Sequence, residues 1–283
     1  MAQRKQLPDM SPEQVVAVED ALLANADRLL NAALAVLDLG SFGLARSLAI
    51  LGMEESGEAI AIHERRVEMA YAPEGEPFVT KQLNQLWASH PKKLRLVHSF
   101  LVNEPYWFDT IEPDRDETAA YLGTIERWTE RHNTLKQQGF YVDLDDNGDA
   151  LAPQDIAEEE SLAVVIRHVH QIGWQLRLGE HIEAKQQAQC AEEIPPATEE
   201  ELEETRKLFS DVKPEVLETV LDAQRCGKEG RELHNDAYRL HLPGPDSNPF
   251  ENLGKPGYEA ETRELIWLSE DLDKREERDR SEP

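Results

Sequence analysis

Two predicted helices carry the side chains with the clearest potential for chemistry. Glu54 and Glu55 are adjacent in one helical pattern, and His90 and Lys93 lie in another, within residues 77–103, which contain no acidic residue. A carboxylate beside an imidazole or an ammonium group can hold or move a proton, so these residues are candidates for acid–base chemistry. Adjacent helical positions lie about 100° apart, and only one of the two glutamates can point squarely into a bundle.

The apolar pattern around the glutamates favours Glu55 as the buried one. It forms a stripe with the apolar residues Leu48, Leu51 and Ile62. Because a buried carboxylate requires a partner, we predict that Glu55 pairs with a base of the 77–103 segment. The candidate partners are His90, Lys92 and Lys93. Two interpretations stay open: a structural ion pair that fixes helix register, and a functional polar site.

An acidic turn is the strongest pattern for a metal ion, but it is incomplete. It reproduces the first half of a calcium-binding EF-hand loop through Asp143, Asp145, Asn147 and Gly148. The twelfth position of that loop, normally glutamate, is Gln154, and Pro153 precedes it. No Glu-x-x-His motif of the kind that holds iron in helical bundles occurs in the sequence. We therefore predict an Asx-type turn here, and neither a metal nor a cofactor.

Helices must position these side chains, because leucine and alanine recur at intervals of three and four along most of the chain. We expect the third helix to break just before Pro91 and the fourth to close at Gly139. The sequence thus predicts an all-α bundle of about five helices with one short extended segment. The helices are expected over about residues 11–39, 42–71, 79–102, 114–138 and 153–190, and the extended run over residues 140–144.

A proline-rich linker at residues 194–197 predicts a boundary between a bundle, residues 11–194, and an acidic helical C-terminal region, residues 195–283. The second part carries the higher density of net negative charge. Its last residues alternate acids and bases with little to bury, which predicts a frayed, partly disordered tail. Within this part the expected helices span about residues 198–209 and 214–242, with a final charged helix after a Pro/Gly loop at residues 243–257.

Composition excludes several classes of protein. The 283 residues have a formal net charge of −27, which opposes broad binding to nucleic acids, so any RNA contact must be local. The longest apolar stretch, residues 32–37, is far shorter than the roughly 20 residues of a membrane helix. With no signal peptide pattern at the start, the sequence predicts a cytoplasmic protein. Its two cysteines are too few for a disulfide framework or a thiolate zinc site.

Four short motifs occur in a recognisable order over roughly residues 15–160. They are Asn25-Ala26; Ala45-Arg46-Ser47-Leu48-Ala49 followed by Glu54-Glu55; Ser89-His90-Pro91-Lys92-Lys93-Leu94; and Lys136 with Gly139-Phe140-Tyr141-Val142-Asp143. Together they resemble the AbiV family, bacterial abortive-infection proteins of the HEPN-like group. The positions that match the family are Asn25, Glu54, Glu55, His90, Lys93, Tyr141 and Asp143. The chain departs from the pattern at Gly57-Glu58, where the family commonly has Gly-Lys.

The resemblance implies an all-helical HEPN-like bundle, commonly a homodimer and often tied to RNA cleavage, toxicity and phage defence. HEPN ribonucleases generally contain an arginine, four to six residues and then a histidine, which handles the proton of the RNA 2′-hydroxyl while the arginine steadies the phosphate. Arg127 and His132 have this spacing, although five positions turn about 140° around a straight helix. The candidate catalytic residues are Glu55, His90, Lys93, Arg127 and His132.

A local basic patch is the predicted place for RNA contact. Arg127 and Arg131 share a helix face, and Lys136 would extend it. A solvated surface or a contact with another protein are the alternatives for these charges. The predicted patch consists of Lys92, Lys93, Arg95, Arg127 and Arg131.

Three functions stay open at this point. The first is an effector of phage defence that acts on RNA or translation, with metal-independent endoribonuclease activity as its enzymatic form. The second is a non-catalytic module of the same fold that senses or blocks a phage or host protein. The third is an unrelated structural role. Replacing His90 or His132 with alanine would remove toxicity in the first case and leave it in the second.

Overall fold

Ten α-helices and one two-stranded hairpin form the part of the chain that the computed structural model describes. That part comprises residues 6–107, 111–145, 147–155, 160–209, 212–230, 233–242, 244, 248 and 250–281. The elements are α1 (Pro12–Asp38), α2 (Phe42–Tyr71), α3 (Lys81–Trp87), α4 (His90–Asn103), α5 (Arg115–Leu122), α6 (Ile125–Phe140), β1 (Asp143–Leu144), β2 (Ala150–Leu151), α7 (Glu160–Ala191), α8 (Glu199–Leu208), α9 (Pro214–Cys226) and α10 (Glu259–Ser281). The chain is all-α, as the sequence predicts.

Helix α2 is the central element of the bundle. It packs against α1, α4, α6 and α7, and most of its residues from Gly43 to His63 are buried. Helix α1 begins as predicted, because Ser11 and Gln14 form a reciprocal capping box. The core between these helices is aliphatic, with Leu30, Ile50, Met53, Ile60, Leu94, Leu162 and Ile172 among its buried members. None of the helices in the described ranges has the length and apolarity of a membrane span.

A buried polar network crosses this aliphatic core. The His63 ring lies between the carboxylate of Glu19, 3.0 Å from Nδ1, and the hydroxyl of Tyr106, 3.1 Å from Nε2. Burial raises the pKa of Glu19, but the hydrogen bond with His63 and the charges of Arg66 and Arg177 outweigh it and lower that pKa below its usual range. The network therefore links α1, α2, α7 and the segment after α4, and its contacts fix how these elements align with one another.

Several predicted helix boundaries are confirmed and several are wrong. The third predicted helix does break before Pro91, which lies in the first turn of α4. The fourth predicted helix is in fact two helices, because Gly123, with φ of +78°, separates α5 from α6. The helix predicted over residues 214–242 ends at Cys226, since Gly227 has φ of +65°.

The predicted extended run over residues 140–144 is mostly wrong. Phe140 ends α6, and only Asp143 and Leu144 form a strand, which pairs antiparallel with Leu151 and Ala150. The helix expected from Pro153 starts as a 3-10 turn over Pro153–Asp155, and α7 is helical from Glu160; residues 156–159 lie outside the described part.

Gly139 serves helix packing rather than helix termination. It lies inside α6, so its predicted role as the end of that helix is wrong. A methyl group at this position would lie 1.9 Å from Ser47 Oγ and 2.0 Å from the carbonyl oxygen of Gly43. The Ser47 hydroxyl donates to the carbonyl oxygens of Gly43, at 3.0 Å, and Lys136, at 2.8 Å. The backbones of α2 and α6 therefore approach closely here.

Residues beyond 194 contact the bundle at several places. Tyr238 stacks on Phe78, with ring centroids 5.8 Å apart. The guanidinium group of Arg177 donates to the carbonyl oxygen of Gly257, and Arg263 of α10 pairs with Asp27 of α1 at 2.6 Å. Helix α10 continues to Ser281, through most of the predicted tail. The division into domains at residue 194 stays a prediction.

We predict that Gly139→Ala destabilises the protein. Inside a helix, alanine is normally more stable than glycine by about 1 kcal/mol. Packing the extra methyl group against backbone atoms, however, costs about 1–3 kcal/mol. We expect a net loss of about 1–2 kcal/mol in the free energy of unfolding, measured by urea denaturation. The matched control is Gln137→Ala, at an exposed position of the same helix. Equal stability of the two variants would contradict the close approach of α2 and α6.

Candidate functional site

One buried carboxylate connects three helices. Glu54 of α2 is 2% exposed. Its Oε1 accepts a hydrogen bond from Lys136 Nζ of α6 at 2.5 Å, and its Oε2 lies 2.7 Å from His90 Nδ1 of α4. Because Lys136 is also buried, the Glu54–Lys136 pair is shielded from solvent. We call Glu54, His90 and Lys136 the Glu54 cluster.

A second ion pair lies one helical turn further along α2. Glu58 and Lys93, both buried, form this pair between α2 and α4. Burial raises the pKa of the Glu58 carboxyl, and nearby Glu54 and Glu55 add to that effect against the opposing influence of Lys93. A methyl group on Gly57 would lie 2.7 Å from the carbonyl oxygen of Lys93, so glycine permits the contact. Gly57 and Glu58, the departure from the family pattern, therefore fit the basic helix α4.

The prediction that Glu55 is the paired glutamate is wrong. Glu55 is only half-buried and lies on the least buried side of α2, together with Leu44, Leu48 and Leu51. The physical reason is that α2 is enclosed on nearly all sides, so a leucine stripe does not identify its innermost face. Glu54, about 100° away, takes the position that the sequence suggested for Glu55. His90 and Lys93 therefore do pair with glutamates of α2, but with Glu54 and Glu58.

His90 is the member of the Glu54 cluster that reaches the surface. Its side chain is 60% exposed. Since the carboxylate of Glu54 holds Nδ1, the other ring nitrogen, Nε2, is the one left for chemistry. The preceding residue, Ser89, lines a groove of about 670 Å³ together with two exposed lysines, Lys81 and Lys92. No carboxylate lines this groove, although the chain as a whole is strongly acidic.

Arg127 and His132 do not come together as the family pattern suggests. Arg127 is exposed, whereas His132 is buried on another face of α6. The ring Nδ1 of His132 donates to the carbonyl oxygen of Trp128 at 2.8 Å. Burial lowers the pKa of His132 to about 4, and the charges of Arg131 and Arg46 act in the same direction. At neutral pH this imidazole is therefore uncharged.

The predicted basic patch is smaller than expected. Lys93 is buried against Glu58, and Lys136, its proposed extension, is buried against Glu54. Their charges are neutralised within the bundle, so neither is available to a phosphate at the surface. The members that are exposed are Lys92, Arg95, Arg127 and Arg131.

The remaining family positions lie near the surface. Asn25 Oδ1 accepts from Arg28 at 2.6 Å, and Tyr141 is exposed beside β1. The turn after β1 is an Asx turn as predicted, because Asp145 Oδ1 accepts from the backbone N–H groups of Asn147 and Asp149 at 2.8 Å. Among the residues that the structure describes, no group of three or more histidine, cysteine or acidic side chains is placed to hold a metal ion.

Sequence reasoning missed the central role of Glu54 and Lys136. The sequence presents Glu54 as a candidate together with Glu55, but the apolar stripe favours Glu55 as the buried residue, and Lys136 is predicted to extend a surface patch. A usable signal was present: Glu54 and Glu58 are four residues apart, and His90 and Lys93 are three apart, which places each pair on one helix face. Two such faces packed together give the two parallel contacts that the structure shows.

Comparison with known proteins identifies a family for this fold. The HEPN_AbiV family model, described as AbiV, matches residues 14–174, more than half of the chain. The match runs from α1 into α7 and includes every residue of the Glu54 cluster. Neither the curated proteins nor the solved structures contain a match to this chain.

Replacing Lys136 with methionine should strongly destabilise the protein. The variant keeps most of the side-chain volume but leaves the buried Glu54 carboxylate without its ammonium partner, a change that costs about 3–5 kcal/mol. We expect a loss of about 3 kcal/mol in the free energy of unfolding, measured by urea denaturation.

A double-mutant cycle supplies the control for this prediction. Glu54→Gln combined with Lys136→Met removes both charges, so the double variant should be more stable than Lys136→Met alone. Additive losses from the two single changes would mean that the pair is not coupled as its 2.5 Å distance indicates.

Stability should also fall in mild acid. Burial lowers the pKa of both His132 and His168 to about 4, whereas the unfolded chain binds a proton near pH 6.5 at each of them. The unfolded state thus binds more protons between these values, and the free energy of unfolding decreases as the pH drops from 6.5 towards 4. Urea denaturation at pH 7 and pH 5 measures the decrease, which should be smaller in His168→Phe. An unchanged pH dependence in that variant would contradict a buried neutral His168.

Proposed function

This chain belongs to the AbiV family of HEPN-type abortive-infection proteins, and from that premise we propose that it is a phage-defence protein that cleaves RNA at His90. One observation carries the proposal: the exposed imidazole of His90 is oriented by the buried carboxylate of Glu54, at 2.7 Å. A histidine held by a buried carboxylate is a common arrangement for a general base. Lys136, which pairs with the other carboxylate oxygen, fixes the carboxylate in turn.

The proposed chemistry requires no metal. His90 Nε2 accepts the proton of an RNA 2′-hydroxyl, whose oxygen then attacks the adjacent phosphorus. The bond from phosphorus to the 5′-oxygen breaks as that oxygen takes a proton from water, leaving a 2′,3′-cyclic phosphate and a 5′-hydroxyl. The His90 imidazolium then returns the 2′-hydroxyl proton to the solvent. Glu54 stabilises the imidazolium that forms, without itself taking the proton.

The groove lined by Ser89, the residue before His90, supplies the RNA contact in this proposal. Lys81 and Lys92 provide positive charge at this groove. Arginine and lysine at a phosphate supply most of the affinity of nucleic-acid binding, independent of sequence. In a strongly acidic chain, a groove with two lysines and no carboxylate lowers the repulsion that RNA meets.

A second candidate function rests on the C-terminal helix. Exposed apolar side chains on α10, which include Ile266, Trp267, Leu268 and Leu272, resemble those of an interaction surface. In this alternative the protein senses or blocks a phage or host protein, and His90 contributes nothing to defence.

Assembly as a homodimer through the long helices belongs to the same proposal. Exposed leucines near the α1–α2 turn, Leu34 and Leu39, support it. Light scattering at micromolar concentration should give twice the mass of 32.2 kDa for the single chain. A monomer mass at that concentration would rule out this part of the proposal.

The principal test compares bacteria that express the wild type, His90→Ala or His241→Ala, with and without phage. His241 is an exposed histidine outside the site, so its replacement is the matched control. We expect wild type and His241→Ala to protect the culture and to degrade RNA, and His90→Ala to lose both effects. Loss of a general base typically costs about 10²–10⁴-fold in rate. Circular dichroism checks that each variant is folded.

The same experiment separates the two candidate functions. If folded His90→Ala protects fully and RNA stays intact in every strain, the ribonuclease proposal is wrong. Trp267→Glu then tests the alternative, because a charge in the centre of an apolar contact should abolish protection that depends on α10.

A further inference from the structure

Helices α8 and α9 form a hairpin whose base is closed by backbone contacts. Ile194 and Lys228, which flank the two helices, exchange backbone hydrogen bonds of 2.9 and 2.7 Å. The helices pack against each other, and Leu202 of α8 and Leu221 of α9 are buried. Residues 198–226 therefore leave and rejoin the rest of the chain at one place, and we call them the α8–α9 hairpin.

Helix α9 has more apolar side chains than its packing buries. Leu221 is fully buried, whereas Val216 and Val220, on a neighbouring side of the helix, are 51% and 38% exposed. Val212 is also exposed, and its N–H donates to the carbonyl oxygen of Phe209, another exposed apolar residue, at 3.1 Å. These four exposed residues, which we call the valine stripe, extend over about three helical turns.

The hairpin is strongly acidic. Residues 198–226 include nine acidic and four basic residues. Two of the basic residues, Arg206 and Arg225, already pair with acidic residues of their own helices. Three exposed glutamates of α8 form no ion pair with any other residue in the described part of the chain: Glu199, Glu200 and Glu204. The apolar stripe of α9 thus lies on a hairpin whose negative charge is not neutralised.

This combination selects the kind of partner. Negative charge repels RNA and anionic lipids, and it opposes the packing of this face on a second copy of itself. Apolar residues at helical spacing instead match the apolar face of another helix. Because packed helices lie about 8–10 Å apart, a helix on α9 is within about one Debye length of the α8 carboxylates. Basic side chains on that helix would therefore be attracted.

We propose that the α8–α9 hairpin binds a basic amphipathic helix of another protein. The apolar face of that helix lies on the valine stripe, and lysine or arginine residues beside this face pair with the free glutamates of α8. Apolar contact supplies the affinity, while the charges speed association and exclude acidic partners. The hairpin lies outside residues 14–174, the part that matches the family model, and its binding does not depend on RNA cleavage at His90.

Three synthetic peptides of about 15 residues test the proposal on the full chain. The first has leucines at helical spacing and lysines between them, the second has glutamates in place of the lysines, and the third has the composition of the first in scrambled order. We expect the first to bind in calorimetry and to protect the backbone amides of α9 from hydrogen exchange. The other two should bind at least about tenfold more weakly, because each lacks one of the two complementary features.

A pair of substitutions in the valine stripe locates the apolar contact. Val216→Gln combined with Val220→Gln should weaken binding of the lysine peptide about tenfold, and helix α9 should persist because glutamine favours a helix more than valine does. The matched control is Leu268→Gln with Leu272→Gln, an exposed apolar pair at the same spacing on α10, which should leave binding unchanged.

A second pair tests the charges and does not alter the apolar stripe. Glu200→Gln with Glu204→Gln should weaken the lysine peptide about fivefold and reduce the salt dependence of binding. Glu126→Gln with Glu130→Gln, exposed glutamates at the same spacing at the start of α6, changes the net charge equally and should have little effect. Circular dichroism checks that all four double variants are folded.

Several outcomes would refute this assignment. Absence of binding by the lysine peptide at millimolar concentration, equal binding of the glutamate peptide, or exchange protection outside the hairpin would each do so. Equal losses in a double variant and its control would mean general attraction to an acidic protein. If light scattering gives a dimer that dissociates on changing Val216 and Val220, a second copy covers the valine stripe and the proposed basic partner is wrong.

Discussion

Burial of the Glu54 carboxylate is the constraint on which the site depends. A carboxylate with 2% exposure requires compensating partners, and the chain supplies Lys136 from α6 and His90 from α4. Each contact fixes one helix against α2. Glu58 and Lys93 repeat the arrangement one turn further on, and glycines at positions 57 and 139 let the backbones come close enough for these short side-chain contacts. The ion pairs and the close contacts at the two glycines therefore favour the same packing of α4 and α6 against α2.

Because Glu54 is buried, the exposed imidazole of His90 is separated from the buried residues that hold it in place. Glu54 and Lys136 are enclosed, where low polarity strengthens their interaction. His90 is exposed and directly follows Ser89, which lines a groove with two lysines and no carboxylate. An imidazole held in this way loses little freedom when a substrate binds, because its orientation is already set. Because the chain as a whole is strongly acidic, a groove without carboxylates lowers the repulsion that a polyanion meets there.

Buried polar groups also organise the rest of the bundle. His63, between Glu19 and Tyr106, joins α1 and α2 to the segment after α4, and Arg177 of α7 reaches Asp20 of α1 and the backbone of Gly257. The Arg177 guanidinium also lies 3.7 Å over the ring of Tyr258. Apolar packing supplies the driving force for these helices to associate, while such directional contacts select one register among many that would bury similar area.

The sequence by itself determined the helical class, the family, the long helices α1 and α2 and the break before Pro91, because capping residues, glycine, proline and apolar periodicity act over a few neighbouring positions. It also indicated that a glutamate of α2 pairs with a basic residue of the 77–103 segment, with His90, Lys92 and Lys93 as candidates. Only the tertiary structure decided that the paired glutamates are Glu54 and Glu58 rather than Glu55, that Lys136 is buried, and that Gly139 lies at a helix crossing. The physical reason is that α2 is surrounded by other helices: when nearly every face is buried, the partner of each side chain depends on how distant helices pack, and no local pattern contains that information.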